Sequence, residues 1–220
     1  MTSAARAVLF DLDGTLLDSI ELIRLSWLHC LEQHGRSHID VASLLSGMGT
    51  PLLTQMRAIA ESEEEALEMI RTYRRWNDAN HDLHVRAYPG VVEAIEELEA
   101  RGSRVAVVTS KGRSSAERAL RWLGLERLLP LLVSADDVAL HKPDPTPVLH
   151  GLELLGVVAD RASSIYVGDA PVDLLAGRAA GVLVAAVTWG AFPAEALEEH
   201  GPDWLLTSPA QLGSLTDRPG

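Results

Sequence analysis

The chain reads as an α/β protein: a parallel sheet flanked by helices, with an α-helical insertion after the first strand. Three observations predict it. Short apolar runs recur and stop at polar or glycine-containing loops, as buried parallel strands do. Amphipathic helical stretches separate the later runs, and that alternation implies right-handed crossovers. One long stretch, from about residue 17 to residue 88, carries helical periodicity and no convincing strand.

The first run, 5–10, ends directly in Asp11-Leu12-Asp13-Gly14. Runs at 103–109 and 164–167 end the same way, in Thr-Ser-Lys-Gly and Gly-Asp. Further strands are predicted at 131–134 and 182–187, with a weak one at 204–206. Between them lie helical patterns at 90–100, 114–123, 145–155 and 171–180. The first has Pro89 before it and Gly102 beyond it, the usual punctuation of a helix. Within the insertion, helices are predicted at 19–34, 50–60 and 63–80. The acidic run 61–68 reads as a solvated helix face, and the tail beyond Leu215 as frayed. The implied division is a core of residues 1–16 and 89–220 and a helical unit of residues 17–88.

Composition narrows the function classes. The 220 residues carry a formal net charge of -12, which opposes non-specific binding to nucleic acid. No stretch approaches the roughly 18 apolar residues of a membrane span, and Asp11 interrupts the only N-terminal apolar run that a secretory signal could use. The single cysteine, Cys30, excludes an internal disulfide, reads as a buried small hydrophobe and suits a reducing cytoplasm. Of 19 basic side chains other than histidine, only Lys111 and Lys142 are lysines, the residue type that supplies a compact point charge.

Four clusters at strand ends carry chemistry. Asp11 and Asp13, two residues apart, can point into one crevice; Asp-Gly is equally a common turn pair. Thr109-Ser110-Lys111 places a hydroxyl and free amides where a helix begins, which suits a phosphate and also an ordinary cap. Lys142 precedes a turn stiffened by Pro143 and Pro145. Asp169 follows a strand directly and Asp173 lies one helical turn later, an arrangement that fits either an oxygen-rich Mg²⁺ site or dipole-favoured helix acids.

Each cluster alone is weak evidence, but their order is distinctive. Asp-x-Asp-Gly-Thr, then Thr, then Lys, then Gly-Asp-x-x-x-Asp resembles the haloacid dehalogenase (HAD) superfamily over nearly the whole chain. The resemblance implies a Rossmann-like core with a helical cap between the first and second motifs. It implies that Asp11 is the nucleophile and Asp13 the general acid and base, with the Asp13 main-chain carbonyl on the metal. Thr109 and Ser110 would bind phosphate, Lys142 would neutralise nucleophile and phosphoryl oxygens, and Asp169 would bind Mg²⁺. Asp173 would either bind through water or support the site from outside. Lys111 stands beside the phosphate motif, where the family requires no lysine.

Within that superfamily, Asp13 points to phosphoryl transfer rather than dehalogenation. The absence of a lysine between residues 17 and 88 counts against phosphonatase chemistry. Ile23 and the uncharged loop 46–50 replace groups that sugar phosphomutases use. A phosphohydrolase acting on a small phosphorylated substrate remains, phosphoglycolate phosphatase-like, with an inorganic pyrophosphatase of the same superfamily as the alternative, suggested by residues 73–83. A phosphomutase, and a non-enzymatic sensor or scaffold, are the more distant readings. Arg24, Arg57 and Arg113 are candidates for the substrate's far end, each also readable as a surface arginine. His81 and His84 read as exposed or capping residues.

Overall fold

The computed structural model describes residues 5–215; the tail beyond Leu215 lies outside them. Six strands form one parallel sheet: β1 (Ala7–Phe10), β4 (Arg104–Val108), β5 (Leu131–Val133), β6 (Ile165–Gly168), β7 (Leu183–Val187) and β8 (Trp204–Leu206). Their order is β5-β4-β1-β6-β7-β8, so β1 is central. All four residues of β1 are buried, and they alternate between faces as a pleated strand must. Val8 and Phe10 join an apolar cluster with Ile95, Leu98 and Leu120. Ala7 and Leu9 join the opposite one, with Val148, Leu152 and Ala176.

Those partners come from helices on the two faces. α5 (Val91–Ala100) and α6 (Arg113–Trp122) cover one face, and α7 (Thr146–Leu154) and α8 (Pro171–Ala180) the other. The shorter α9 (Ala194–Glu198) follows β7. The Rossmann-like α/β architecture expected from the sequence is the one observed.

After β1 the chain departs into α1 (Ile20–Gln33), α2 (Val41–Leu45), α3 (Leu52–Ile59) and α4 (Glu63–His84). These helices bury their own cluster, which includes Trp27, Leu31, Met56, Met69 and Tyr73. The Trp27 and Tyr73 rings meet edge-on, with centroids 5.4 Å apart. Cys30 is buried among them, as expected. The Ser62 hydroxyl accepts the Glu65 N–H at the start of α4, and three glutamates in its first turn suit the helix dipole. The acidic run is largely exposed, as expected, and within it Glu63 pairs with Arg57, Glu65 with Arg36 and Glu68 with Arg71.

The sequence reading found no strand in this region, and the structure corrects it. Leu17–Asp18 (β2) and Arg86–Ala87 (β3) pair antiparallel, Leu17 opposite Ala87 and Asp18 opposite Arg86. Two residues per strand are too few to show alternation, so the pattern could not reveal them. α2 was missed for the same reason of length. α4 runs four residues beyond the predicted 63–80, and this changes the fate of His81. Ile70, Tyr73, Asn77 and His81 fall on one buried stripe of that helix. His81 is therefore buried rather than exposed, with Nδ1 2.8 Å from Asp82 Oδ1 and no partner for Nε2. His84 stacks against Trp76. No helix among the described residues is long and apolar enough to cross a membrane.

Candidate active site

The predicted residues converge at the carboxyl ends of β1, β4 and β6, around the central strand. Asp11 continues β1, and its N–H donates to the Val167 carbonyl of β6. The Thr109 N–H donates to Val133 of β5, and the Thr109 Oγ1 accepts the Lys111 N–H. Ser110 lies at the cavity wall between them. Asp169 follows β6, and Asp173 sits in the first turn of α8, where its Oδ2 accepts the Ala170 N–H at 3.0 Å.

Lys142 organises this set. Its ammonium is almost completely buried and donates to Asp11 Oδ1 at 2.9 Å, to Asp173 Oδ1, and to the Tyr166 hydroxyl at 3.1 Å. Three acceptors use all the donors a lysine has. Tyr166 in turn donates to the Val108 carbonyl at 2.8 Å, which fixes its oxygen. Burial alone would push the lysine pKa down; Asp11 and Asp173 outweigh it and hold the group charged. The sequence reading missed Tyr166, because a tyrosine within an apolar strand looks like core.

Asp11, Asp169 and Asp173 bring carboxylate oxygens within 4.8 Å of one another, all buried. Burial, and then the charges of Asp173 and Asp11, push the Asp169 pKa well above the ordinary carboxylate value. Asp169 also accepts the Ala191 N–H at 2.8 Å. Gly14 has φ +80, and a Cβ there would lie 2.2 Å from Asp169 Oδ2. Only glycine takes this backbone shape cheaply and leaves room for the carboxylate.

The Asp13 carboxylate stands apart from that triad. It accepts the Ser19 hydroxyl at 2.6 Å and both oxygens take Lys111 Nζ, at 3.0 and 2.9 Å. The lysine that the family pattern left unassigned thus binds the second aspartate. Both lysines of the chain are in the site. Four carboxylates face two ammonium groups there, and a divalent cation on an all-oxygen donor set fits that imbalance.

The site opens on a cavity of about 330 Å³. Its floor is Asp11, Asp13 and residues 109–112; its roof comes from α1, α3, α4 and the loop around Gly49. Of the arginines considered for a substrate's far end, none lines it. Arg24 pairs with Glu21, Arg57 with Glu63 and Arg113 with Asp137. Arg74 of α4 lines it instead.

The comparisons with known proteins agree with this geometry. The family model for haloacid dehalogenase-like hydrolases matches residues 8–187. The chain is 37% identical over 210 residues to pyrophosphatase PpaX of Bacillus velezensis, covering 96% of this chain and 95% of that one. A predicted phosphatase from Clostridium acetobutylicum superposes with a TM-score of 0.84 at 28% identity, over 96% of this chain and 98% of that one. A predicted phosphoglycolate phosphatase from Haemophilus somnus shares the fold, with a TM-score of 0.83 at 24% identity over 94% and 96% of the two chains. With the motif order, the sheet and the site in agreement, the chain belongs to the haloacid dehalogenase-like hydrolases and is an enzyme of the phosphatase type.

Proposed function

We propose that this enzyme is a Mg²⁺-dependent phosphohydrolase working through an aspartyl-phosphate on Asp11, with pyrophosphate as its substrate. The observation that carries the mechanism is the Asp11–Lys142 ion pair inside a buried acidic cluster. A phosphoryl group carries negative charge and is repelled by a carboxylate nucleophile unless positive charge is fixed beside both. Lys142 supplies part of it. Asp11, Asp169 and Asp173 would hold Mg²⁺ with the Asp13 main-chain carbonyl, and the bound ion would supply the remaining charge neutralisation.

Each residue then has one task. An Asp11 oxygen attacks phosphorus as the bond to the leaving oxygen breaks, and Asp13 gives that oxygen a proton. Thr109 and the Ser110 amide hold phosphoryl oxygens. A water next attacks the aspartyl-phosphate, Asp13 takes its proton, and Asp11 is freed as phosphate leaves. Residues 17–88 act as a cap that closes over the cavity and keeps bulk water out during the first step.

The sequence reading put a phosphoglycolate phosphatase-like activity first. The names of relatives at 36–37% identity over nearly their whole length favour pyrophosphate instead, whereas the predicted phosphoglycolate phosphatase is 24% identical. The test is phosphate release from pyrophosphate with Mg²⁺, by the wild type and by Asp11→Asn. The variant is expected to fall by roughly four orders of magnitude or more, the scale seen when a nucleophile is removed. Equal rates from both proteins would sink the mechanism.

A further inference from the structure

The mechanism above accounts for the phosphoryl group that is transferred, and leaves the group that departs without a recognition element. The α4 face lies over the cavity. Leu67, Ile70, Arg74 and Asn77 recur at helical spacing and all line the cavity. Arg74 is the single charge on that stripe.

Two further observations give Arg74 a direction. Its guanidinium crosses from the helical unit to the core loop beside Lys111: a Cβ at Gly112 would lie 3.5 Å from Arg74 Nη2. It also has no carboxylate at ion-pair distance among the described residues, although most arginines of this acidic chain have one. Asp136 lies on the same side, with its Oδ2 taking the Arg113 N–H at 2.7 Å. Across the cavity floor, Lys111 spends two donors on Asp13, and an ammonium has a third.

We propose that Arg74 and Lys111 form a split cation clamp, one half on the cap and one on the core, that selects substrates whose leaving group is itself an anion. The proposal rests on the phosphohydrolase reading and deepens it. Lys111 holds the leaving group beside Asp13, its proton donor. Arg74 holds it from above, so an anionic leaving group links cap to core and favours closure. The apolar members of the stripe, Leu67 and Ile70, displace water and strengthen both contacts. An ester whose organic half is uncharged gains none of this.

The experiment compares kcat/KM for pyrophosphate and phosphoglycolate, whose leaving groups are anionic, with phenyl phosphate, whose organic half is neutral. Wild type, Arg74→Met, Arg74→Lys and Arg75→Met are measured, with thermal melting to report the fold. Arg75 removes the same charge from the next position, which lies on a separate surface groove with His29 and Trp76. Expected are a fall of about ten-fold or more in the anionic-to-neutral selectivity ratio for Arg74→Met, carried by KM. Arg74→Lys should recover part of it, and Arg75→Met should leave the ratio unchanged. An unchanged ratio in Arg74→Met, or the same fall in Arg75→Met, overturns the clamp. So does a wild type that prefers phenyl phosphate. Failure of the underlying reading looks different: Asp11→Asn would then be as active as wild type on every substrate.

Discussion

Lys142 shows how a single side chain both builds and endangers the site. It neutralises two buried carboxylates at once, and removing one partner of such a group leaves charge stranded away from water. Lys142→Met is therefore expected to lose activity and also about 3–5 kcal/mol of stability, as measured by urea denaturation. Normal stability with lost activity would show that the acids are neutralised some other way. The residues that were legible in the sequence share one property: Asp11, Thr109 and Asp169 each come directly after an apolar run, so position in the chain reports position in the crevice. Tyr166 and Arg74 lack that marker. Tyr166 acts through a hydroxyl at the far end of a core side chain. Arg74 has arginine beside it in sequence, and only the helical phase set by Leu67, Ile70 and Asn77 separates its surroundings from those of Arg75.

The insertion meets the core at points that depend on element shape. Arg118 of α6 donates to the Asp78 carbonyl and to Asp82 of α4. On the other side, Gly49 has φ +89, and a Cβ there would lie 2.5 Å from Val172 Cγ2 and 3.1 Å from the Ala170 Cβ. The loop therefore rests directly on the start of α8, beside Asp169 and Asp173. Gly49→Ala is expected to hold the loop away from the core and raise KM several-fold, with a backbone cost of about 1–2 kcal/mol. Adding Val172→Ala should recover part of the KM and none of the backbone cost. Kinetics and melting of the single and double variants check this, and an unchanged KM in Gly49→Ala would argue that the contact is incidental. Long elements were legible because periodicity accumulates over several turns. Short ones were not: α2 spans too few residues to show a period, and the β2–β3 ribbon is fixed by partners distant in sequence.

Across the whole molecule, an acidic surface coexists with a site built to receive anions. The net charge of -12 and the excess of carboxylates over lysines at the crevice both favour divalent cation uptake. Mg²⁺ at a hundred times its dissociation constant should stabilise the fold by about 2.7 kcal/mol if it binds only the folded state. Scanning calorimetry with Mg²⁺ and with EDTA reads this as a shift of several degrees, and Asp169→Asn should abolish the shift. The architecture was legible as a whole because strand order, helix alternation and motif placement all agree with one sheet. The two-stranded ribbon has a last consequence for that architecture. Asp18 and Arg86 face each other across one strand spacing, about 5 Å between Cα atoms. A turn of two residues closes a ribbon of this kind. The helices between those two positions leave and rejoin the core side by side, so apart from Ser19 on Asp13 and the Gly49 seat on α8 a recipient core could accept a different set of helices through the same doorway without any strand of its sheet being rebuilt.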